Sequence, residues 1–402
     1  MTDGRCRSRG RVRFIGTGLA LLFPLFAHAS FFETYMVDEE DGMFDVSRYL
    51  STLRSGFLPV PTIITEPAVG TGLAVAGVFF HESEAQKKQD ASTRPLLPEN
   101  ISIVGLGATE NGTRGLGLGH LGFWKQDSIR YRGFLLYGDL NLDFYSLAQR
   151  NLERPVKLNL KGPVVLQDLK FRVGDSHWLV GARQLYRVVK TNLESEIALP
   201  NPALEERVND FLDQTLGDRQ TTSGLGLLLE YDSRDNPLYP ESGVQYSANY
   251  LVFDDAIGSD ADYASYQLEG LNYWQLSDRF NLGFRVQYDG IQASDSERLP
   301  TYVEPFIDLR GIAKNRYQGR AVLVGELELT WKMTPRWSVN GFTGGGRAAS
   351  SFGDLHDDAE SGNSVGGGFR YLIARRYGLR MGLDVARGPE DTAVYIQAGA
   401  SW

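Results

Sequence analysis

The chain of 402 residues has a single cysteine, Cys6, so one copy can form no internal disulfide and no cysteine-ligated metal site. After residue 30 it has no run of eighteen or more apolar residues, which excludes a spanning helix from that point on. Strands must make any membrane crossing there, because only helices and closed barrels satisfy the backbone in lipid. Histidine is scarce. Only His81, His120, His177 and His356 follow residue 29, and no two stand at metal-ligand spacing. Positive charge is in deficit too, with a formal net charge of −9. That balance argues against nucleic acid as a partner, since phosphate binding needs a basic footprint.

The first residues read as an export signal. Arg5, Arg7, Arg9, Arg11 and Arg13 precede an apolar stretch from Phe14 to Phe26, and Ala27-His28-Ala29 is a small-x-small cleavage site. Residues 1–29 are therefore expected to leave, and Cys6 with them. Loss of five Arg and one Asp takes the formal charge from −9 to −13.

The remainder is glycine-rich (45 residues) and aromatic (11%), and it alternates. In 280–289, Phe280, Leu282, Phe284, Val286 and Tyr288 interleave with Asn281, Gly283, Arg285, Gln287 and Asp289. Segments 320–333, 377–386 and 391–402 follow the same period of two, which belongs to strands with unlike faces. The polar face mixes Arg, Glu and Gly, as a wet or hydrogen-bonded lumen would. Trp178, Trp274, Trp331, Trp337, Tyr377 and Trp402 stand at strand ends, where a barrel keeps its interfacial girdles. Sixteen strands are expected: 57–68, 71–82, 99–110, 114–125, 128–143, 156–173, 177–193, 221–233, 243–254, 262–276, 279–292, 319–333, 336–349, 364–374, 377–387 and 391–402.

Connections after even strands are short (125–127, 174–176, 277–278, 334–335, 375–376). Those after odd strands are long (144–155, 194–220, 293–318, 350–363). With the N-terminus in the periplasm, this alternation describes an all-β, 16-stranded antiparallel transmembrane barrel of a bacterial outer membrane. A long turn at 83–98 and a very short one at 69–70 depart from the rule. Residues 30–56 precede the barrel, and Asp41 to Arg54 reads as a short amphipathic helix with Phe44, Val46, Tyr49 and Leu53 apolar. A second helix is expected over Pro202 to Gln214.

Three stretches resemble the Omp85 superfamily, whose barrels have sixteen strands. Residues 231–243, with Asp232, Arg234, Asp235, Asn236, Pro237 and Gly243, look like the family's D-x-R-D-N-P-x-x-P-x-x-G periplasmic turn. Leu309-Arg310-Gly311-Ile312, in the sixth surface loop, resembles its [V/L]-R-G-[F/Y] motif. The C-terminus, with Tyr395, Gly399 and Trp402, resembles an outer-membrane sorting signal, although Gly399 is out of the usual place. Pro59-Val60-Pro61 and Ile64-Thr65-Glu66-Pro67 look like the opening strand of short members that lack periplasmic POTRA domains. The resemblance covers about 57–402. It implies that Arg310 folds into the lumen onto acidic partners. Glu326 and Glu328 on strand twelve are the candidates, and Glu328 better matches the family's acidic position. The second such position falls near Thr343, a departure.

The resemblance further implies help with insertion or translocation of proteins or lipids, without cofactor, metal or catalysis. Outer-membrane lipids, unfolded outer-membrane or secreted clients and a periplasmic protein would be the partners. A seam between strands one and sixteen, rich in Pro59, Pro61 and Pro67, would be poorly bonded. Other lumen charges (Arg130, Arg132, Glu230, Arg285, Arg370, Arg380, Asp384) read as a filled network more than a pore lining. Two rivals stand beside this reading. A passive channel requires a lumen not filled by loop six. A phospholipase-type enzyme would rely on Ser176 or His177 in Gly174-Asp175-Ser176-His177, which lies in a tight turn. Gly117-Leu118-Gly119-His120-Leu121-Gly122 matches a nucleotide-binding pattern but opens no helix. Asp254, Asp255, Asp260 and Asp262 in loop five, and Asp354, Asp357 and Asp358 in loop seven, read as solvated acids.

Overall fold

Alternation puts one side of each strand in lipid and the other in a lumen, and the strands pair accordingly. The computed structural model describes residues 28–52, 57–81, 99–147, 150–193, 219–294 and 299–402. Its strands are β1 (Phe57–Ile64), β2 (Gly72–His81), β3 (Asn100–Thr109), β4 (Arg114–Trp124), β5 (Ile129–Leu147), β6 (Arg150–Arg172), β7 (Trp178–Leu193) and β8 (Arg219–Asp232). Then come β9 (Gly243–Phe253), β10 (Tyr263–Gln275), β11 (Phe280–Ala293), β12 (Ala321–Lys332), β13 (Trp337–Ala349), β14 (Glu360–Ala374), β15 (Leu379–Arg387) and β16 (Thr392–Ala398). They form one 16-stranded sheet in sequence order, each antiparallel to its neighbours. Among the described residues no ladder joins β1 to β16, and the seam is bridged by the Thr65 hydroxyl donating to the Val394 carbonyl. No helix of the described residues is long and apolar enough to cross a membrane.

On β12 the two faces are plain. Leu323, Leu327, Leu329 and Trp331 point outward and exposed, whereas Val322, Val324 and Glu326 are buried inside. An exposed Leu gains about 1.5–3 kcal/mol on leaving water, so such a belt is stable only against lipid. Trp178, Trp274, Trp331 and Trp337 are on the outer face. Trp337 packs on Tyr371 at 4.8 Å between ring centroids. The β4–β5 turn holds Lys125, Gln126 and Asp127 at positive φ, each at a cost of about 1–2 kcal/mol. The Asp127 carboxylate offsets this by accepting from Arg130 (2.6 and 2.7 Å) and from Arg172.

Three expectations need correction. The stretch 144–155 is mainly a continuation of β5 and β6, paired as far as Leu147 and Arg150. The last strand ends at Ala398, not at the chain end. The Asp41–Arg54 helix is replaced by α1 (His28–Met36), a turn closed by a Val37–Phe44 bridge, and α2 (Ser47–Thr52). Gly42 adopts φ +68, which breaks a helix, and the Asp45 carboxylate accepts from the Ser47 N–H (2.7 Å), so the helix starts there. The expected helix at 202–214 and the long turn at 83–98 lie outside the described residues.

The N-terminal turn is clasped to the rim of the barrel that carries the β12–β13 and β14–β15 connections. Buried Arg336, between β12 and β13, donates to Asp41 (2.6 Å), to Asp45 (2.5 Å) and to Asp38. Arg375, after β14, donates to Asp41 (2.5 Å) and to Glu40. The Val46 N–H donates to the Ile373 carbonyl (2.7 Å) and the Tyr371 hydroxyl to the Phe44 carbonyl (2.7 Å). The hydrogen bond from Arg336 holds the Asp41 carboxyl down at about 2. Burial pushes Asp45 upward, but Ser47 and Arg336 outweigh it and the net direction is down.

A depressed carboxylate stabilises the clasp above its unfolded pKa and ceases to do so as pH falls through the folded value. The clasp should therefore hold at neutral pH and release between about pH 4 and the folded Asp41 value of about 2. A spin label on Met43→Cys, in a chain starting at Ser30, should gain mobility in that window. Mobility unchanged down to pH 2 would refute the clasp.

Candidate functional site

Loop six, between β11 and β12, enters the lumen because the wall is shaped for it. Ile307, Leu309, Ile312 and Tyr317 pack with Val322, Val324 and Ala348. The glycines of β13 make the room: a Cβ on Gly344 would lie 2.8 Å from Leu309 Cδ2, and one on Gly346 2.5 Å from Ile307 Cγ2. Gly311 turns the loop at φ +88, and its N–H donates to the Tyr395 hydroxyl of β16 (2.9 Å).

That anchoring sets Arg310 onto three carboxylates. Its Nε donates to Glu326 (2.8 Å), and Nη1 donates to Glu328 (2.8 Å) and Asp384 (2.8 Å). The guanidinium carbon lies 3.5 Å from the centroid of the Phe342 ring. Arg370 closes on Asp384 with two bonds of 2.6 and 2.8 Å, and Arg285 stands 3.9 Å from Glu326. Three acids thus face three guanidinium groups, which is the condition for keeping such charge out of water. Thr343 is not part of this set. It opposes outward Leu327 in the ladder, and its hydroxyl donates to the Ser364 carbonyl (3.0 Å). Asp384 on β15 occupies the place of the further acid.

The C-terminal tail reaches the same acids from the other side. Gly399 takes φ +87 and its N–H donates to the Arg380 carbonyl (2.8 Å), after which the Ala400 N–H donates to the Leu238 carbonyl (2.8 Å). Ser401 Oγ donates to Glu328 (3.0 Å) and Trp402 Nε1 to Glu326 (2.6 Å). The Trp402 ring covers Gly283, where a Cβ would lie 2.8 Å from it. Trp402 is therefore not a girdle residue, and Ala400 and Trp402 do not extend the lipid-facing row. An indole N–H seeks an acceptor, and Glu326 supplies one inside.

The 231–243 turn receives that tail. Asp232 accepts from Arg234 (2.9 Å) and Arg130 (3.2 Å). Asp235 accepts from the Glu241 N–H (3.0 Å) and Asn236 from the Leu238 N–H (2.8 Å), while Asn236 Nδ2 donates to the Tyr377 carbonyl (3.1 Å). Pro237 lies between these bonded residues and has no N–H to place. Gly243 at φ +97 leaves no room for a Cβ, which would meet the Ser233 carbonyl oxygen at 2.3 Å. Loop six and the tail thus converge on Glu326, Glu328 and Asp384, and the 231–243 turn holds the tail through the Leu238 carbonyl.

A profile of the Omp85 superfamily domain matches residues 176–376, half of the chain. The chain belongs to the Omp85 superfamily. Its fold is similar to that of BamA from Haemophilus ducreyi lacking POTRA domains 1–3, with a TM-score of 0.56 and 13% identity over 86% of this chain and 70% of that one. It is also similar to CdiB from Escherichia coli (TM-score 0.55, 11% identity, 85% of this chain and 62% of that one). CdiB from Acinetobacter baumannii gives a TM-score of 0.52 and 12% identity, with 85% of this chain and 59% of that one covered. The chain therefore spans about three fifths of either CdiB chain. No curated protein sequence matches it.

Elsewhere in this Omp85 barrel several lumen charges are paired. Asp168 accepts from Arg183 (2.7 Å) and Arg132, and Glu230 from Lys170 (2.5 Å) and Arg130 (3.1 Å). Arg380 lies 5.4 Å from the Tyr239 ring centroid. Ser176 and His177 do not engage each other: Ser176 Oγ donates to the Val173 carbonyl (2.6 Å), and the His177 ring packs on Tyr231. Asp254 and Asp262 accept from the Ala256 (2.9 Å) and Asp255 (3.0 Å) amides, and Asp260 from Thr221 (2.6 Å), so these acids staple loop five. Gly117 and Gly119 lie on β4.

Removing one member of a buried pair costs about 3–5 kcal/mol. Arg310→Ala should lower unfolding stability by that amount, and Arg310→Lys should restore only part, because ammonium lacks the fork. Trp402→Phe keeps the ring, drops the N–H and should cost about 1–3 kcal/mol. Urea unfolding of the refolded barrel in detergent checks this. Stabilities equal to wild type would mean that the acids are hydrated without these partners.

Proposed function

We propose that this Omp85 barrel assists proteins or lipids in entering or crossing the bacterial outer membrane, after export with residues 1–29 removed. The observation that carries the reading is the seam. β1 and β16 are the two edges of the sheet, no ladder between them is present among the described residues, and Thr65 to Val394 is the hydrogen bond across it. Pro59 and Pro61 on β1 have no N–H to offer. Unsatisfied backbone in lipid costs several kcal/mol per group, so such an edge accepts a partner strand or opens beside lipid. A client or lipid at the seam would meet a lowered barrier with no nucleotide consumed. The partners on this reading are outer-membrane lipids, unfolded outer-membrane or secreted proteins, and a periplasmic protein that presents them. Loop six and the paired charges in the lumen favour assembly over steady conduction, and the separation of Ser176 from His177 favours a non-enzymatic role.

The test is the outer-membrane protein and lipid profile of a deletion strain complemented with wild type or Arg310→Ala. Specific components should be lost, then restored by wild type and not by Arg310→Ala, although both reach the membrane. An unchanged profile rejects assembly and leaves the channel reading to single-channel recording. A second test ties the seam shut with Ile63→Cys and Ile396→Cys, which both face outward in the register set by Thr65 and Val394. The oxidised barrel should lose activity and recover it on reduction, and full activity while oxidised removes the seam from the mechanism.

A further inference from the structure

The two halves of the lumen differ in chemistry. Beside β12 to β15 the wall carries the acids and arginines and is covered by loop six. Beside β2 to β7 the charged pairs of Arg132, Asp168 and Arg183 occupy one end, and the stretch around Gly117, Leu136 and Leu160 is apolar and, among the described residues, open. Contacts between positions show that these residues share one face: a Cβ on Gly117 would lie 2.6 Å from Leu136 Cδ2, one on Gly119 2.8 Å from the Phe134 ring and 3.6 Å from Ile103 Cβ, and one on Gly105 3.9 Å from Ala76 Cβ. That face is the lumen, because Leu160 and Val189 on it pack against Tyr302 of loop six. The wall encloses a cavity of about 580 Å³. Leu136 lines it while 45% exposed.

Barrel interiors are ordinarily polar, and apolar surface left against water is unfavourable. An open apolar cavity of this size, within the range of about 300–1,000 Å³ that encloses ligands, is what a bound apolar molecule would require. Two features say which molecule. Thr62 of β1 lines the cavity, and the other edge of β1 is the seam, so membrane lipid is adjacent. At the cavity margin stands Arg187, whose partners are neutral: Thr222 Oγ1 at 3.0 Å, Tyr263 Oη at 2.7 Å and the Tyr302 ring at 5.5 Å from its guanidinium carbon. A cation at one end of an apolar cavity suits an anionic head on a hydrocarbon chain.

We infer that the β2–β7 side of the lumen binds an acyl chain of an anionic phospholipid, with Arg187 at the phosphate. Passage through the seam would rest on the reading above. The site itself does not, since it can be filled and assayed without any client.

The test uses the full barrel in detergent micelles doped with phosphatidylglycerol bearing a mid-chain diazirine, and a phosphatidylcholine counterpart as the zwitterionic probe. After irradiation, adducts are mapped by mass spectrometry. Outward Leu135 and Tyr137 report surrounding lipid, and inward Leu136 and Leu160 report the site. Phosphatidylglycerol should label the inward pair, exceeding phosphatidylcholine there by about tenfold. Leu136→Asp should cut inward labelling about tenfold and leave the outward adducts, which also show that the variant has folded. Arg187→Gln should bring the two probes level. Labelling confined to outward residues overturns the site, and an anionic preference that survives Arg187→Gln overturns the headgroup assignment. If the Ile63→Cys/Ile396→Cys disulfide abolishes inward labelling while assembly activity persists, the lipid site stands and the assembly role of the seam falls. Loss of activity with no inward labelling in the open barrel means the reverse.

Discussion

The Glu326 carboxylate accepts from the Arg310 guanidinium through one oxygen and from the Trp402 indole through the other. It is 2% exposed, so neither oxygen is left to water. Loop six reaches it from one end of the barrel, and the C-terminal tail turns in to it from the other. The acid is therefore a junction between two segments that touch the seam strand β16, one through Gly311 and Tyr395 and the other by direct continuation. A charge of this kind adds little net stability over an apolar core, but it is costly to break. It thus fixes where the loop and the tail sit more than how firmly the barrel holds together.

The rest of the polar interior follows from neutralising that junction. Glu328 and Asp384 bring the count of acids to three, and Arg285, Arg310 and Arg370 match it. Glycine is used to fit the cluster: Gly344 and Gly346 admit the apolar residues of loop six, and Gly283 admits the Trp402 ring. A larger residue at any of these would push the loop or the tail off the wall and leave carboxylates unpartnered.

The strands were legible because each face meets a different solvent. Where that contrast ends, the reading ended too. Around 144–155 the hairpin continues as a paired ladder while the sequence no longer alternates, so it resembled a loop. The tail misled for the opposite reason: Ala400 and Trp402 continue the outward parity, and the sole sign of a turn was Gly399. Asp384 could be placed on the lumen face from β15 alone, but not beside Arg310, since that depends on the stagger of β15 against β12. The Asp-rich N-terminal turn carries helix-spaced apolar residues. What decides its shape is Arg336, almost three hundred positions away.

The charged junction and the apolar cavity also explain each other. Loop six is held to the β12–β15 wall by ion pairs that reach no further than a side chain, so it covers that wall and, among the described residues, meets the β2–β7 wall through Tyr302. The apolar stretch around Gly117 and Leu136 is free of such charges, and it adjoins β1, the edge strand at the seam. The seam, the apolar wall and the anchored loop are in this sense one arrangement: the pairing that β16 gives up to β1 is replaced by its bonds to loop six and the tail, and the lumen beside the open edge is the part of the interior least hostile to a hydrocarbon chain.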